Sequence, residues 1–436
     1  MLKSYLIMAN TTNHMLNTNR ILKNSGIDTN LVPAPVEYGS VCAIAIKILE
    51  KDLSLAKEIL RNEKNIKIYE DKQIGLSNLM ERLSLNTYED NKFELSSLFI
   101  EILKKIEAGE DLNLKDIVYL LKTENKLEIN SLYKAADKLR KEIVGDIVDI
   151  RGAIEFTNIC TKNCKYCGIR KDSKNLSRYR MSEDEILEIV HELHNLGIQT
   201  VILQSGEDAE FWHKDKIISL LKRIKKETKM RITLSIGERS YEEYKSFKEA
   251  GADNYLLKIE TTNRELFKFL HPDDDFDIRL NCSKQLKELG YLNGSGSMVG
   301  LPKQTIEDIA NDILFFKEMG INMIGIGPFL PAQGTPFENE KQGDIQLSLK
   351  ALAITRIVCK RVYLPATTSL VSLDEKAQTK ALQAGANTIM LVNTPKKHRE
   401  NYQLYSNKNM VNMELAIKSI KEAGRQFPKW LSEEKL

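Results

Sequence analysis

The stretch TNICTKNCKYCGIR, residues 157–170, holds three cysteines within eight positions: Cys160, Cys164 and Cys167. An apolar run over 153–156 precedes it and predicts a β-strand, so the cysteines are expected on the loop that follows. Three thiolates at this spacing can each bind one iron of a 4Fe-4S cubane and leave the fourth iron without a protein ligand. A structural zinc site is the alternative, but it needs four ligands, and no fourth cysteine or histidine lies nearby in sequence.

Working outward from this loop, strand-like apolar runs alternate with amphipathic helical patterns. This alternation predicts βα units and an α/β fold, a (β/α)8 TIM-type barrel, whose functional loops follow the carboxyl ends of the strands. The eight predicted strands are 153–156, 200–204, 232–235, 254–258, 296–299, 323–327, 362–366 and 388–391.

The amino-terminal region reads as a separate small α+β domain. Its predicted order is βαββαβ, which is ferredoxin-like. The predicted strands are 5–8, 29–32, 42–48 and 66–69, and the predicted helices are 12–24 and 53–61. The predicted domain plan is a small domain 1–72, a linker 73–95, a helical collar 96–150, the barrel 151–405 and a helical tail 406–436.

Composition restricts the partners and the compartment. The chain of 436 residues has 64 Lys and Arg against 61 Asp and Glu, a formal charge of +3, which gives no indication of nucleic-acid binding. Its apolar runs are too short for a signal peptide or a membrane span. Because the clustered cysteines suit metal binding better than disulfides, we expect the reducing cytoplasm.

The cysteine loop, with Tyr166 directly before Cys167, resembles the radical S-adenosylmethionine (SAM) superfamily. Over about residues 100–405 the order of motifs also resembles the FeFe-hydrogenase maturase family HydE. The matching segments are RGAIEFTNIC, NLSRYRMS, LQSGED, LLKIET, RLNC, GSGSMVGLP, IGIGPFLP, PATTS and YQLY. This resemblance implies one 4Fe-4S cluster, reductive cleavage of SAM to a 5′-deoxyadenosyl radical, reduced flavodoxin or ferredoxin as electron donor, and other hydrogenase maturases as partners.

Several residues are candidates for binding SAM. An acidic side chain can accept hydrogen bonds from ribose hydroxyls, an arginine can hold a carboxylate by two bonds, and glycines let a ligand approach the backbone. The same residues could instead cap loops, form turns or carry surface charge. With the resemblance, the candidates are Tyr166, Gln204, Ser205, Glu207, Glu260, Arg279, Gly294, Ser295, Gly296 and Met298.

A second set is expected at the far end of the cavity, where the resemblance implies substrate contacts. Periodicity alone would make its methionines core residues. The set is Lys258, Met323, Thr367, Thr368, Met390, Tyr402 and Tyr405. The chain carries Asn254, Lys258 and Ile259 where the family has two arginines and a histidine, a departure that affects the expected substrate because lysine does not reproduce a guanidinium fork.

Two other functions therefore stay open. One is a paralogue of methylornithine synthase or biotin synthase type that acts on a small organic, sulfur or selenium substrate; biotin synthase itself would need additional cysteines. The other is a non-catalytic iron-sulfur scaffold. No cysteine follows Tyr405, so the accessory cluster of some family members is expected to be absent.

The small domain resembles a family of selenium- or sulfur-carrier-like domains, and Cys42 in EYGSVC, residues 37–42, falls where such domains have a cysteine. A thiol after a glycine turn could carry a persulfide. A buried structural cysteine at the start of a strand is the alternative.

Overall fold

The computed structural model describes residues 3–10, 12–34, 44–71, 95–174, 176–406 and 408–431. Cys42 and most of the predicted linker 73–95 lie outside these residues. In the part that is described, no helix has the length and apolar character needed to cross a membrane.

The small domain forms a four-stranded antiparallel sheet, as its βαββαβ pattern predicts. The strand order is β2-β3-β1-β4, which is ferredoxin-like. Its elements are β1 (Ser4–Ala9), α1 (Thr12–Asn24), β2 (Asn30–Pro33), β3 (Ile44–Leu49), α2 (Leu53–Ile59) and β4 (Ile66–Glu70). Buried apolar side chains such as Leu6, Leu22 and Ile46 form a core of its own.

Within the predicted collar, 96–150, the structure has three helices. They are α3 (Ser97–Glu107), α4 (Leu114–Lys122) and α5 (Lys126–Val144). The middle helix, α4, begins with a capping box between Asn113 and Asp116, whose side chains satisfy each other's backbone N–H groups. Its buried residues Ile117, Leu120 and Leu121 pack into the barrel's outer core.

The main domain contains a seven-stranded parallel sheet in the order β10-β9-β8-β7-β6-β5-β11. The strands are β5 (Asp149–Thr157), β6 (Thr200–Ser205), β7 (Arg231–Ser235), β8 (Asn254–Leu256), β9 (Leu292–Val299), β10 (Met323–Pro328) and β11 (Thr388–Val392). An α/β barrel-type sheet is therefore confirmed. The strand predicted over 254–258 is shorter, because its last two residues leave the ladder.

The seventh predicted strand, 362–366, is reduced to two single bridges. Tyr363 pairs with Met323 at the start of β10, and Pro365 pairs with Thr388 on β11. Proline has no backbone N–H to donate to a ladder, which limits pairing at this position. The segment nevertheless lies between β10 and β11, so it links the two edges of the sheet.

Helices cover the outer face of the sheet, and most of them have an apolar stripe toward the core. The helices of this domain are α6 (Glu183–Leu196), α7 (Lys214–Glu227), α8 (Tyr241–Glu249), α9 (Arg264–Leu270), α10 (Phe276–Glu288), α11 (Ile306–Met319), α12 (Ile345–Cys359), α13 (Thr368–Leu373), α14 (Lys376–Gln383), α15 (Lys396–Arg399) and α16 (Met413–Glu422). The short α15 is the exception, since none of its residues is buried. On β5, Gly152 faces outward to Leu193 of α6, whereas Arg151 reaches Met323 across the interior, with 3.3 Å between Nη1 and Sδ.

The small domain docks against the amino ends of the barrel strands. Leu292, the first residue of β9, belongs to the apolar core of the small domain. Asn322, just before β10, donates its side-chain N–H to the carbonyl of Leu31, and Arg361 lies 3.4 Å from the Asp71 carboxylate. The cysteine loop follows the carboxyl end of β5, so the small domain is at the opposite end of the barrel.

Candidate active site

A cavity of about 370 Å³ opens at the carboxyl ends of the barrel strands, beside the cysteine loop. Its size is typical of a small-molecule site. The structure brings together most of the residues predicted for this site. The predicted residues in its lining are Cys160, Cys164, Tyr166, Cys167, Gln204, Ser205, Glu207, Lys258, Glu260, Arg279, Met298, Met323, Thr367, Thr368, Met390, Tyr402 and Tyr405.

The cysteine loop is held against the end of β6 by a glycine. A Cβ at Gly206 would lie 2.3 Å from the carbonyl oxygen of Ile159 and 2.9 Å from Cβ of Cys160, so only glycine allows this approach. The next residue, Glu207, directs its backbone N–H at the Cys160 sulfur, with an N···S distance of 3.4 Å. The LQSGED segment thus shapes the loop as well as lining the cavity.

Arg178, from the NLSRYRMS segment, organises the same loop from behind. Its guanidinium donates to five backbone carbonyls, those of Asn158, Ile169, Arg170, Lys171 and Ser173, at distances between 2.5 and 3.3 Å. No role for Arg178 was predicted from the sequence. An arginine between a serine and a tyrosine carries no local signal for contacts to a loop several residues upstream.

The three thiols fit a cluster by their chemistry. Burial raises the pKa of all three cysteines, that of Cys167 to about 12, so without a bound cation they are neutral at physiological pH. Thiolate is the form that binds iron, and iron binding releases the proton. Within the described residues, no three His, Cys, Asp or Glu side chains converge on one metal ion. A cubane does not require convergence, because each cysteine binds a different iron.

Tyr166, next to the cluster loop, is fixed by His271. The Tyr166 hydroxyl lies 2.9 Å from Nε2 of His271, and Nδ1 of the same ring lies 3.1 Å from the Phe267 carbonyl. Burial lowers the pKa of His271 to about 3, so the ring is neutral. Nδ1–H therefore donates to the carbonyl and Nε2 accepts from the tyrosine hydroxyl, an assignment that follows from the hydrogen-bond network. His271 lines the cavity but was not among the residues predicted for the site from the sequence.

A charged network lines the wall beside the cysteines. Arg279 donates through Nε to Glu238 at 2.5 Å, through Nη2 to Asp274 at 3.0 Å, and through Nη1 to the Lys258 carbonyl at 2.8 Å. Lys162 pairs with Asp274 and lies 3.9 Å from Glu207. All three guanidinium nitrogens of Arg279 therefore have protein acceptors, so a ligand carboxylate would share this arginine with two acidic side chains.

Glu207 belongs to the same network but is electrostatically unusual. Burial raises its pKa to about 7, while Lys162 and Arg279 oppose that rise. The carboxyl lies against Gly237, where a Cβ would be 2.1 Å from Cγ of Glu207. Its side chain is thus enclosed near two cations, Lys162 and Arg279, and two carboxylates, Asp274 and Glu238.

Glu260 has a backbone conformation that is rare outside glycine, with φ of 62°. Its N–H donates to Gly296 at 2.9 Å, and its carbonyl accepts from Met298 at 3.3 Å. Two residues later, the N–H and hydroxyl of Thr262 both donate to Oδ1 of the buried Asp312, at 2.6 and 2.7 Å. The side chain of Glu260 accepts from Lys258 at 2.8 Å.

Gly294, Ser295 and Gly296 are absent from the cavity lining, unlike Met298. A Cβ at Gly296 would be 2.1 Å from the Gly325 carbonyl and 2.8 Å from Lys258, and one at Gly294 would be 3.0 Å from Met323. These glycines let neighbouring strands and side chains approach. The Ser295 hydroxyl accepts from the N–H of Ile259 at 3.1 Å, so it supports the wall from behind.

The far end of the cavity is lined by hydroxyl groups and sulfur. The Tyr405 hydroxyl donates to Thr368 at 3.2 Å, and the Thr367 hydroxyl is 3.1 Å from that of Ser369. Below Tyr402 a buried ion pair joins Glu155 on β5 to Lys408, which ties the segment after the barrel to its interior. Polar atoms therefore line this end of the cavity, and hydrogen bonds and an ion pair hold them in place.

Asn254, Lys258 and Ile259, the three positions that depart from the family pattern, do not all reach the cavity. Lys258 lines the cavity, whereas Asn254 and Ile259 do not. Asn254 is buried below and donates to Thr233 at 2.9 Å. Lys258 is therefore the departure that a bound ligand would meet directly.

Comparisons with known proteins identify families that match the barrel and the small domain. Residues 154–316 match the family described as the Radical SAM superfamily, and residues 4–70 match the one described as "Putative Se/S carrier protein-like". Over 309 residues the chain is 47% identical to the FeFe hydrogenase maturase subunit HydE of Thermotoga maritima, covering 71% of this chain and 88% of the maturase.

More distant relatives include 3-methylornithine synthase of Methanosarcina acetivorans, 30% identical over 287 residues that cover 66% of this chain and 81% of the synthase. The crystal structure of methylornithine synthase, PylB, matches with a TM-score of 0.68 at 25% identity, covering 78% of this chain and 99% of PylB. The barrel and its cysteine loop are thus those of a radical SAM enzyme, whose cofactors are a 4Fe-4S cluster and SAM. The chain belongs to the HydE family of FeFe hydrogenase maturases.

Proposed function

We propose that this enzyme acts as a HydE-type maturase in the assembly of the FeFe-hydrogenase di-iron site. The observation that carries this is the 47% identity to HydE across nearly the whole of that protein. The cluster, when bound, supplies the electron for reductive cleavage of SAM, which yields methionine and a 5′-deoxyadenosyl radical. The protein's own contribution is to bind, orient and enclose the reacting groups.

In this proposal Cys160, Cys164 and Cys167 hold the cluster, and the neighbouring wall binds SAM. Glu260 accepts from the ribose hydroxyls, because its carboxylate faces the cavity at a strand end. Arg279 orients the methionine carboxylate while Glu238 and Asp274 fix the guanidinium plane. Tyr166, Gln204, Ser205, Glu207 and Met298 complete the pocket, and Gly294, Ser295 and Gly296 act by shaping the strands behind it.

The substrate would occupy the far end of the cavity. Thr367, Thr368 and Tyr405 present hydroxyl groups there, and Lys258 adds a positive charge that is paired with Glu260 at 2.8 Å. Such a set suits a polar or anionic substrate, because an apolar ligand would remove these groups from water without giving them new hydrogen bonds. Met323, Met390 and Tyr402 fill the remaining wall and exclude water from the reacting centre.

The second candidate is a paralogue of methylornithine-synthase or biotin-synthase type, in which the radical acts on a small organic, sulfur or selenium substrate. The observation that favours it is Lys258, a point charge where the family carries planar guanidinium donors. A non-catalytic scaffold is not retained, since the chain is a radical SAM enzyme.

The partners and the compartment follow from the chemistry. Reduced flavodoxin or ferredoxin would supply the electron, and the other hydrogenase maturases would receive or provide intermediates. The cysteine loop must stay reduced to bind iron, and the cytoplasm is the compartment that keeps thiols reduced. We propose that the chain divides into a small domain 1–72 with a carrier-like role that involves Cys42, a linker 73–95, a helical collar 96–150, the barrel 151–405 and a helical tail 406–436.

Hydrogenase maturation tests the proposal directly. An apo-hydrogenase is produced in cells that supply the other maturases and lack HydE, and hydrogen evolution is measured with this chain or its Cys164→Ala variant. The proposal expects activity with the wild-type chain and none with the variant. Wild-type protein that cleaves SAM in vitro but never restores hydrogenase activity would overturn maturation in favour of the paralogue.

A further inference from the structure

A second cavity lies between the small domain and the amino end of the barrel, remote from the cysteine loop. Its volume is about 380 Å³, and both domains line it. Its charged lining residues are Lys47 and Asp71 from the small domain, and Asp111, Lys317, Lys360 and Arg361 from the collar and barrel. We call this the interdomain cavity.

The charged groups of the interdomain cavity do not balance. Among the described lining residues, four cations face two carboxylates, which leaves a formal charge of +2. Asp71 is shared by Lys47 at 2.7 Å and Arg361 at 3.4 Å, and Asp111 is paired with Lys317 at 2.5 Å. Lys360 donates instead to the neutral carbonyl of Gly109 at 3.0 Å.

Lys360 is partly buried and lies near charges of both signs. Burial lowers its pKa, and the positive charges of Lys317 and Lys47 lower it further, against the opposite effect of Asp111 and Asp71. The fold thus holds this ammonium group near two other lysines, while the two carboxylates nearby are each paired with another cation.

The remaining walls suit a compact ligand. Apolar side chains from both domains, including Val32, Leu49 and Phe316, surround the charged groups, and Asn30 and Asn322 add amides. Each lysine has three N–H donors, so the two that are paired with carboxylates keep donors for a ligand. A phosphate group carries a charge of about −1.5 to −2 near pH 7, which matches the excess.

We propose that the interdomain cavity binds a small dianionic ligand of the phosphate type, held between Lys47 of the small domain and Lys360 of the barrel. Because the ligand contacts both domains, its binding favours the docked arrangement. This site is separate from the SAM cavity and does not depend on the maturase proposal.

Inorganic phosphate is the probe, titrated into the full-length reconstituted enzyme by calorimetry with SAM present throughout. The wild-type chain is expected to show saturable binding and a higher unfolding temperature. Lys360→Gln and Lys47→Gln should each weaken binding about tenfold, because each removes one charge-assisted contact while the glutamine can still donate. Lys418→Gln, on the exposed face of α16, removes the same charge elsewhere and should bind as the wild type does.

Three results would overturn the proposal: no saturable phosphate binding, binding that neither Lys360→Gln nor Lys47→Gln weakens, or equal weakening by Lys418→Gln. Sulfate and acetate test the charge argument. Sulfate, a dianion of similar shape, should bind comparably, whereas acetate at the same affinity would contradict recognition of two charges. Because Lys47 is more than one-third exposed, its variant should fold even where Lys360→Gln does not.

Discussion

The Asp312–Thr262 contact is predicted to hold Glu260 in its strained conformation, and its removal should weaken SAM binding. Asp312 is fully buried on α11 and accepts two hydrogen bonds from Thr262 through one oxygen. In Asp312→Ala both donors lose their acceptor. In Asp312→Asn the amide oxygen can accept both bonds, so this variant is the matched control.

The expected loss of SAM affinity can be estimated from the backbone strain at Glu260. A left-handed conformation costs a residue with a side chain about 1–2 kcal/mol, and Glu260 has a φ of 62°. An ordinary buried hydrogen bond contributes about 0.5–1.5 kcal/mol, so the two bonds together are enough to offset that strain. Without them the strained conformer should fall about 5- to 30-fold in population, and the apparent Kd for SAM should rise by the same factor.

Equilibrium dialysis with SAM on reconstituted, cluster-loaded protein measures this Kd. Asp312→Ala should bind SAM about 5- to 30-fold more weakly than the wild type, and Asp312→Asn should stay within a few-fold of it. Iron content per chain is measured in parallel, so that weaker binding is not confused with cluster loss. Wild-type affinity in a fully loaded Asp312→Ala protein would refute the link between this contact and the SAM site.

Three further outcomes are expected. Arg178→Ala should lower the iron bound per chain after reconstitution, because the loop loses contacts of ~3 kcal/mol or more; full iron content would contradict the role given to this guanidinium. Gly206→Ala should abolish SAM cleavage by displacing the Ile159 carbonyl, and normal turnover would mean that the loop tolerates the clash. Burial raises the pKa of Asp312 from 3.8 to about 7, with Asp308 acting in the same direction and hydrogen bonds from Thr262 and Ser297 opposing it. A pKa raised on folding adds stability that is fully present below the unfolded value and is lost as pH rises to the folded value, so the wild-type melting temperature should fall relative to Asp312→Asn between about pH 4 and pH 7; parallel profiles over that range would contradict this.

Sequence patterns predicted the barrel and most of the cavity lining because strand ends carry side chains to one rim. Cys160, Cys164 and Cys167 are local in sequence, and Glu260, Thr367 and Met390 each follow or lie on a recognisable apolar run. For such residues, the position relative to a predicted strand is sufficient to predict that they lie at the cavity.

Other features required the folded chain. Arg178 and His271 act through contacts to distant backbone and side-chain groups, which no periodicity encodes. Ser295 was predicted at the SAM site from its motif, yet its hydroxyl lies behind the wall, because strand residues alternate between faces. The interdomain cavity arises only when the small domain docks on the barrel.

Electron paramagnetic resonance of the reduced, reconstituted protein, combined with assay of 5′-deoxyadenosine, tests the central claim that the cysteine loop holds a cluster that cleaves SAM. The account predicts a 4Fe-4S signal that SAM perturbs, with 5′-deoxyadenosine formed only when reductant is present, and loss of both in Cys164→Ala. A cluster signal that is indifferent to SAM, or SAM cleavage that persists in Cys164→Ala, would contradict it.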